Sequence, residues 1–224
     1  MLTPYLKNQV MYICLEGLKG CGKSTLLTAA RELLTAHQVQ FALVEPTRAM
    51  PTERSWQERL CAQLPCLRHL DAWNELLYAQ RARYAAATAS WQKPLVLGDR
   101  SVVTSYVTRW RKWGNPLACI QRVDRLEGPL PAPDHVVLLD VDPQLAWERA
   151  QARRRSYGQH DESLARLYEA REAYRQIAAF GIPRLQRTQW HVIDGSQAPQ
   201  LVLQDWLRLV KQLAPAAFPS LELN

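Results

Sequence analysis

At 224 residues, with 47% hydrophobic and 22% charged side chains, the chain has the length and composition of a single soluble α/β unit, which argues against disorder and membrane insertion. No apolar run approaches the ~20 residues that span a bilayer, and Met1-Leu2-Thr3-Pro4-Tyr5-Leu6-Lys7 lacks the apolar core of a secretory leader, so a cytoplasmic location is expected. The net charge of +7 fits a nucleic-acid surface or arginines gathered around a small polyanion, and the cluster Arg153-Arg154-Arg155 favours the second.

The first apolar run, Val10 to Leu15, is short enough for a buried strand, and leucines recur at helical spacing from Leu26 to Leu34. Between them lies Gly17-Leu18-Lys19-Gly20-Cys21-Gly22-Lys23-Ser24-Thr25. A strand, a glycine loop of the form Gly-x4-Gly-Lys-Ser and a helix make a phosphate cradle. Glycines let the backbone curl so that successive N–H groups and the positive helix end converge on a polyphosphate. Lys23 would span the outer phosphates, and the Ser24 hydroxyl would meet a Mg²⁺ ion held between them. Gly17, Lys19, Gly20, Cys21, Gly22, Lys23, Ser24 and Thr25 are therefore the expected ATP-binding residues. Motors, GTPases and kinases all use such a loop, so the reaction has to be read elsewhere. Cys14, Cys21, Cys61, Cys66 and Cys119 form no metal-ligand pattern and suggest reduced thiols. Cys21, at a helix start, is the one whose thiolate the loop would stabilise.

A second strand at Gln40–Val44 ends at Glu45-Pro46 and delivers Glu45 to the carboxyl end of the sheet. Residues 51–68 read as a short helix with flexible flanks. A long helix from Asp71, its expected N-cap, to Trp91 carries an apolar face of Leu76, Leu77, Tyr78, Ala79, Tyr84 and Ala87. Of Arg81 and Arg83, one is expected to face the nucleotide. The third strand, Lys93–Gly98, ends in Asp99-Arg100, which would set a carboxylate near Mg²⁺ or the accepting oxygen and a guanidinium on a phosphate. Tyr106, Arg109, Trp110, Arg111, Lys112 and Trp113 mix aromatic and basic character. Stacking on single-stranded nucleic acid is one use of such a mixture, and a helix that buries its rings and wets its charges is the favoured one.

A fourth strand at His135–Val141 precedes a helix that starts at Asp142-Pro143 and runs into Arg149 and Arg153, four residues apart on one face. Like charges stacked in that way call for an anion between them, and residues 149–162 read as a lid that closes over transferring phosphates. A helix over Ser163–Ala179, a fifth strand at Trp190–Ile193 and a helix over Leu201–Leu213 complete a unit of residues 1–214, with residues 215–224 as a loose tail. The turn at Gly195-Ser196-Gln197-Ala198 is a resting place for an adenine ring.

With these stations placed, the chain resembles the thymidylate kinase family over nearly its whole length. The matching stations are Glu16-Gly17 to Thr25, Glu45-Pro46, Tyr78-Ala79-Gln80-Arg81, Gly98-Asp99-Arg100, Pro133-Asp134 with Leu139-Asp140-Val141, Arg149-Ala150 with Ala152-Arg153, Arg171-Glu172-Ala173-Tyr174, and Ile193-Asp194. The resemblance implies a three-layer P-loop kinase fold, a five-stranded parallel sheet with helices on both faces and an arginine-rich lid, often assembled as a homodimer. It implies phosphoryl transfer from ATP, with Mg²⁺, to a deoxynucleoside monophosphate such as dTMP. Lys23, Asp99, Arg100, Arg149 and Arg153 would be catalytic, and Glu45, Pro46, Tyr78, Arg81, Arg100 and Thr108 would hold the acceptor. The departures lie mainly on the acceptor side. Lys19 stands where the family has an acid, Val44 where it has an arginine, Leu77 where it has a phenylalanine with Tyr78 adjacent, and Thr108-Arg109 where it has Tyr-Gln. Loss of a base-directed hydrogen bond changes selectivity by powers of ten, which keeps a deoxynucleoside kinase with Glu45 as general base, or an inactive nucleotide-binding regulator, as alternative readings.

Overall fold

The computed structural model describes residues 10–110, 115–152 and 163–218. Five strands form one parallel sheet: β1 (Met11–Gly17), β2 (Phe41–Val44), β3 (Leu95–Asp99), β4 (His135–Asp140) and β5 (Gln189–Asp194), in the spatial order β2-β3-β1-β4-β5. Parallel neighbours cannot be joined by tight turns, so each crossover carries helix, and the central strands are covered on both faces. That burial is why β1, β3 and β4 read as nearly unbroken apolar runs. Cys14 of β1 stands between Gly98 of β3 and Val136 of β4. The chain passes to one side of β1 for β2 and β3 and to the other for β4 and β5, so its carboxyl end is the switch point where open α/β sheets receive ligands.

Helix α1 (Lys23–Ala36) buries Leu26, Leu27, Ala30 and Leu34 at intervals of three and four and packs with α8 (Pro199–Leu213). On the opposite face α4 (Val102–Arg109) contacts both α5 (Pro116–Glu127) and α7 (Leu164–Phe180), and α5 also packs against α3 (Asp71–Thr88). The caps are ordinary chemistry: Ser101, Asn115 and Ser163 each accept a backbone N–H from the first turn of α4, α5 and α7. Helix α6 (Pro143–Ala152) follows β4, and α2 (Trp56–Gln63) occupies the region expected to hold a short helix.

The structure differs from the sequence expectations in four places. Leu70, not Asp71, caps α3, and Asp71 occupies its first turn, where a carboxylate still meets the positive helix end. The face of α3 that is buried carries Glu75, Leu77, Ala79, Ala82 and Ala85, while Leu76 is 50% exposed. A glutamate sits on that face because Arg122 of α5 reaches it at 2.7 Å. Charges in the aromatic and basic segment are not all wetted: Arg109 is 5% exposed and pairs with Glu127 at 3.2 Å, beside the fully buried Tyr106. The tail is not loose from its start, since Pro215–Ala217 forms a 3-10 turn that seats Ala217 and Phe218 in the core. All five cysteines are free thiols, and only Cys66 is exposed.

The edge strand β5 is fastened to β4 by more than the ladder. His191 lies diagonally across from His135 on the same sheet face, and the His135 Nδ1 stands 3.1 Å from the His191 Nε2. One ring nitrogen carries the shared proton and the other offers its lone pair, so the accepting imidazole at least is neutral. Burial lowers both pKa values; His191 lowers that of His135 further, and Asp134 works the other way. The unfolded chain therefore takes up these protons at higher pH than the folded one. The stabilisation is complete above the ordinary histidine value of about 6.5 and is lost as pH falls through the lowered folded values. Thermal melts across this range should show the melting temperature falling more steeply with acid for the native protein than for His191→Gln; identical slopes would contradict the assignment.

Candidate active site

Three strands deliver the candidate side chains to one end of the sheet. At the exit of β1 the backbone turns through Gly17, Gly20 and Gly22, all at positive φ. At Gly20 a side chain is excluded by space as well, because a Cβ there would lie 2.0 Å from the Ala146 carbonyl oxygen of α6. The loop opens into α1 with Lys23 as the first residue and Ser24 and Thr25 exposed in the first turn. The Lys23 ammonium donates to the carbonyls of Gly17 and Leu18 at 2.7 and 2.8 Å and to the Cys21 sulfur at 3.3 Å. Burial lowers its pKa, and Arg100 lowers it further. The sulfur of Cys21 is thus a packed hydrogen-bond acceptor beside the lysine, 1% exposed.

Behind the loop lies a residue whose role in the site was not anticipated. Glu16 is wholly buried, and its carboxylate accepts the Ser101 N–H and hydroxyl, each at 2.8 Å, the Thr104 hydroxyl at 2.7 Å and the Tyr174 hydroxyl at 2.9 Å. Tyr174 also accepts the Gly17 N–H at 3.3 Å, which links α7 to the glycine loop. The available signal was an acid placed after an apolar strand and immediately before the loop, a position where a charge survives burial only with a full set of donors.

Arg100 belongs to this cluster. It adopts φ +71°, a left-handed conformation that costs a side-chain-bearing residue about 1–3 kcal/mol. Its N–H is held by the Leu15 carbonyl at 3.1 Å, its Nη1 donates to Thr104 at 3.1 Å, and it stands 3.9 Å from the Glu16 Oε2. Burial works against its charge, but Tyr174, Glu16, Tyr78 and Asp99 outweigh burial and raise its pKa. A permanently cationic guanidinium is thereby fixed beside the loop, next to the partly exposed Asp99.

The other expected residues divide. Glu45 is at the carboxyl end of β2, ion-paired with Arg48 at 2.6 Å, and Pro46 behind it is buried. Tyr78 lies near two guanidiniums, with Arg109 5.1 Å and Arg81 5.9 Å from its ring centre. Arg81, expected near a base, is committed to Glu58 through its Nε and Nη2 at 2.6 and 3.0 Å and to the Thr47 carbonyl at 3.1 Å. Arg83 is exposed. The Thr108 hydroxyl bonds back to the Thr104 and Ser105 carbonyls of its own helix. Arg149 donates to the Gly195 and Ser196 carbonyls at 2.8 and 3.3 Å and so grips the turn between β5 and α8. Arg153, with most of the proposed lid, lies outside the described residues.

Truncating Glu16 would strand four donors and a nearby guanidinium in a dry site. Glu16→Ala should lose about 3–5 kcal/mol of stability in urea unfolding, and Glu16→Gln, which keeps one acceptor oxygen, should lose less. Equal stability of Glu16→Ala and the native protein would refute the role given to this carboxylate.

Comparison with known proteins agrees with this geometry. A sequence model of the family described as Thymidylate kinase matches residues 15–205. The chain is 27% identical over 224 residues to the thymidylate kinase of Shewanella loihica, covering 92% of this chain and 97% of that protein. It is 30% identical over 215 residues to that of Nitratidesulfovibrio vulgaris, covering 89% and 92%, and 28% identical over 211 residues to that of Pseudomonas fluorescens, covering 92% and 98%. With the match running from the end of β1 into α8, the chain belongs to the thymidylate kinase family.

Proposed function

We propose that this protein transfers the γ-phosphoryl group of ATP to the phosphate of dTMP, giving dTDP. The observation that carries the reading is the pairing, at one sheet end, of a strand-loop-helix phosphate cradle with a fixed arginine on the neighbouring strand, inside a family match that spans both. Backbone amides of the loop and the start of α1 receive the donor triphosphate. Lys23 exchanges its carbonyl partners for phosphate oxygens, and Arg100 holds the acceptor phosphate in line with the donor. Phosphoryl transfer of this kind depends on positioning and charge.

The donor set suits Mg²⁺. The exposed Ser24 hydroxyl and the Asp99 carboxylate are hard oxygen ligands, of the kind that join phosphate oxygens and water around this ion. Such an ion would supply charge neutralisation between the phosphates. Arg149, by holding the Gly195–Ser196 turn, shapes the donor side, while positive charge over the phosphates falls to Arg153 and its neighbours. The kinase unit takes in the turn that seats Phe218 in its core and works in the cytoplasm. Two copies associate as a homodimer in this reading. No described helix is long and apolar enough to cross a membrane.

A coupled assay with ATP should show ADP release with dTMP ahead of dUMP, dCMP, dAMP and dGMP. Lys23→Ala should reduce turnover by at least about a thousandfold while retaining the fold by circular dichroism. Phosphorylation of thymidine with dTMP ignored would select the nucleoside kinase instead, and ATP binding without turnover of any acceptor would select the regulator.

A further inference from the structure

Both oxygens of the Glu16 carboxylate hold the first turn of α4. Oε1 takes the N–H and hydroxyl of Ser101, and Oε2 takes the hydroxyl of Thr104 on the same side of that turn. Thr104 is buried. A β-branched side chain has few rotamers to choose from in a helix, and a helical threonine commonly bonds back to the preceding turn. Thr108, one turn further along, does this with the Thr104 and Ser105 carbonyls. The Thr104 hydroxyl is turned to the site.

Its two partners there decide where its proton lies. A guanidinium can only donate, and an ionised carboxylate can only accept. The Thr104 proton therefore points at the Glu16 Oε2, 2.7 Å away, and its lone pairs face the Arg100 Nη1 at 3.1 Å. The guanidinium and the carboxylate are 3.9 Å apart, beyond hydrogen-bond reach, so the hydroxyl carries the contact between them. Each bond in such a chain polarises the next. Arg100 is thus held at both ends, its N–H by the Leu15 carbonyl and its Nη1 by Thr104. Tying Nη1 inward fixes the plane of the guanidinium and leaves the edge formed by Nε and Nη2 for two parallel bonds to a phosphate.

We infer that Thr104 is a positioning residue for Arg100, its hydroxyl oriented by Glu16 so as to aim the guanidinium at the acceptor phosphate, an inference that rests on the phosphotransfer reading above. Thr104 itself touches no substrate in this arrangement. It acts on the phosphate alone, because the group it aims meets only the phosphate. Loss of the hydroxyl lets the guanidinium swing, and a small misplacement of a clamping group is costly in phosphoryl transfer.

Thr104→Val removes the hydroxyl at nearly constant shape, and Thr104→Ser keeps it. Steady-state ADP release is measured with dTMP and ATP varied in turn, alongside equilibrium binding of dTMP and of thymidine. Thr104→Val should weaken dTMP binding and lower kcat, each about 10-fold, while thymidine binding and the KM for ATP stay within about twofold. Thr104→Ser should remain within about threefold of the native protein throughout. Should Thr104→Val fail to fold, Thr104→Ala, which places no methyl group against the carboxylate, makes the same comparison. Native behaviour without the hydroxyl would overturn the inference. Equal losses towards dTMP, thymidine and ATP would mean a merely structural role and overturn it as well, as would a Thr104→Ser protein as impaired as Thr104→Val. A native protein that binds dTMP but releases no ADP would defeat the phosphotransfer reading, and the two binding constants would still test Thr104; one that binds neither ligand would defeat both.

Discussion

The carboxylate of Glu16 is the constraint on which the active end of this molecule depends. A negative charge with no solvent contact is tolerable only when its lone pairs are filled, and here they are filled from two other elements: Ser101 and Thr104 of the β3–α4 junction and Tyr174 of α7. To satisfy that one group, α4 and α7 must approach the same point behind β1. The approach brings Arg100 to the edge of the glycine loop and sets the Tyr174 hydroxyl against the Gly17 amide. The left-handed backbone at Arg100 is a local cost that this arrangement sustains.

Much of this was legible in the residues and much was not, for physical reasons. Strand and helix positions followed from apolar period and from Gly, Pro, Ser and Asn punctuation, which are local properties; all five strands and the helices around them lie within a few residues of where the pattern put them. The cradle from Gly17 to Thr25 was legible because its chemistry is made by consecutive backbone atoms. What periodicity misjudged was the buried face of α3, where Glu75 is inside and Leu76 outside. A hydrophobic count cannot see that an arginine from α5, 47 residues away, will cover the acid. Glu16 was overlooked as a site residue for the same reason, since every one of its partners is distant in sequence.

Arginine 81 shows how a matched position can change its work. Its place on α3 follows the family pattern, but Glu58 on α2 takes two of its nitrogens and Thr47 a third. Nothing near Arg81 in sequence announces that partner. Arg109 is similar: a residue that reads as a wetted charge is 5% exposed, because Glu127 waits on the facing helix. Burial pushes the Glu127 carboxyl up, and Arg109 offsets part of that rise. Both guanidiniums near the Tyr78 ring thus already have carboxylate partners, Arg81 in Glu58 and Arg109 in Glu127.

Under the phosphotransfer reading, the donor and acceptor sides of the site are built from different material. The donor side is made chiefly of backbone: amides of a loop whose path is dictated by glycines, one of which has 2.0 Å between a would-be Cβ and the Ala146 carbonyl oxygen. Such a device admits almost no substitution at its glycines. The acceptor side is made of side chains held by other side chains, so the loss of one contact can be made good by another residue on a different element.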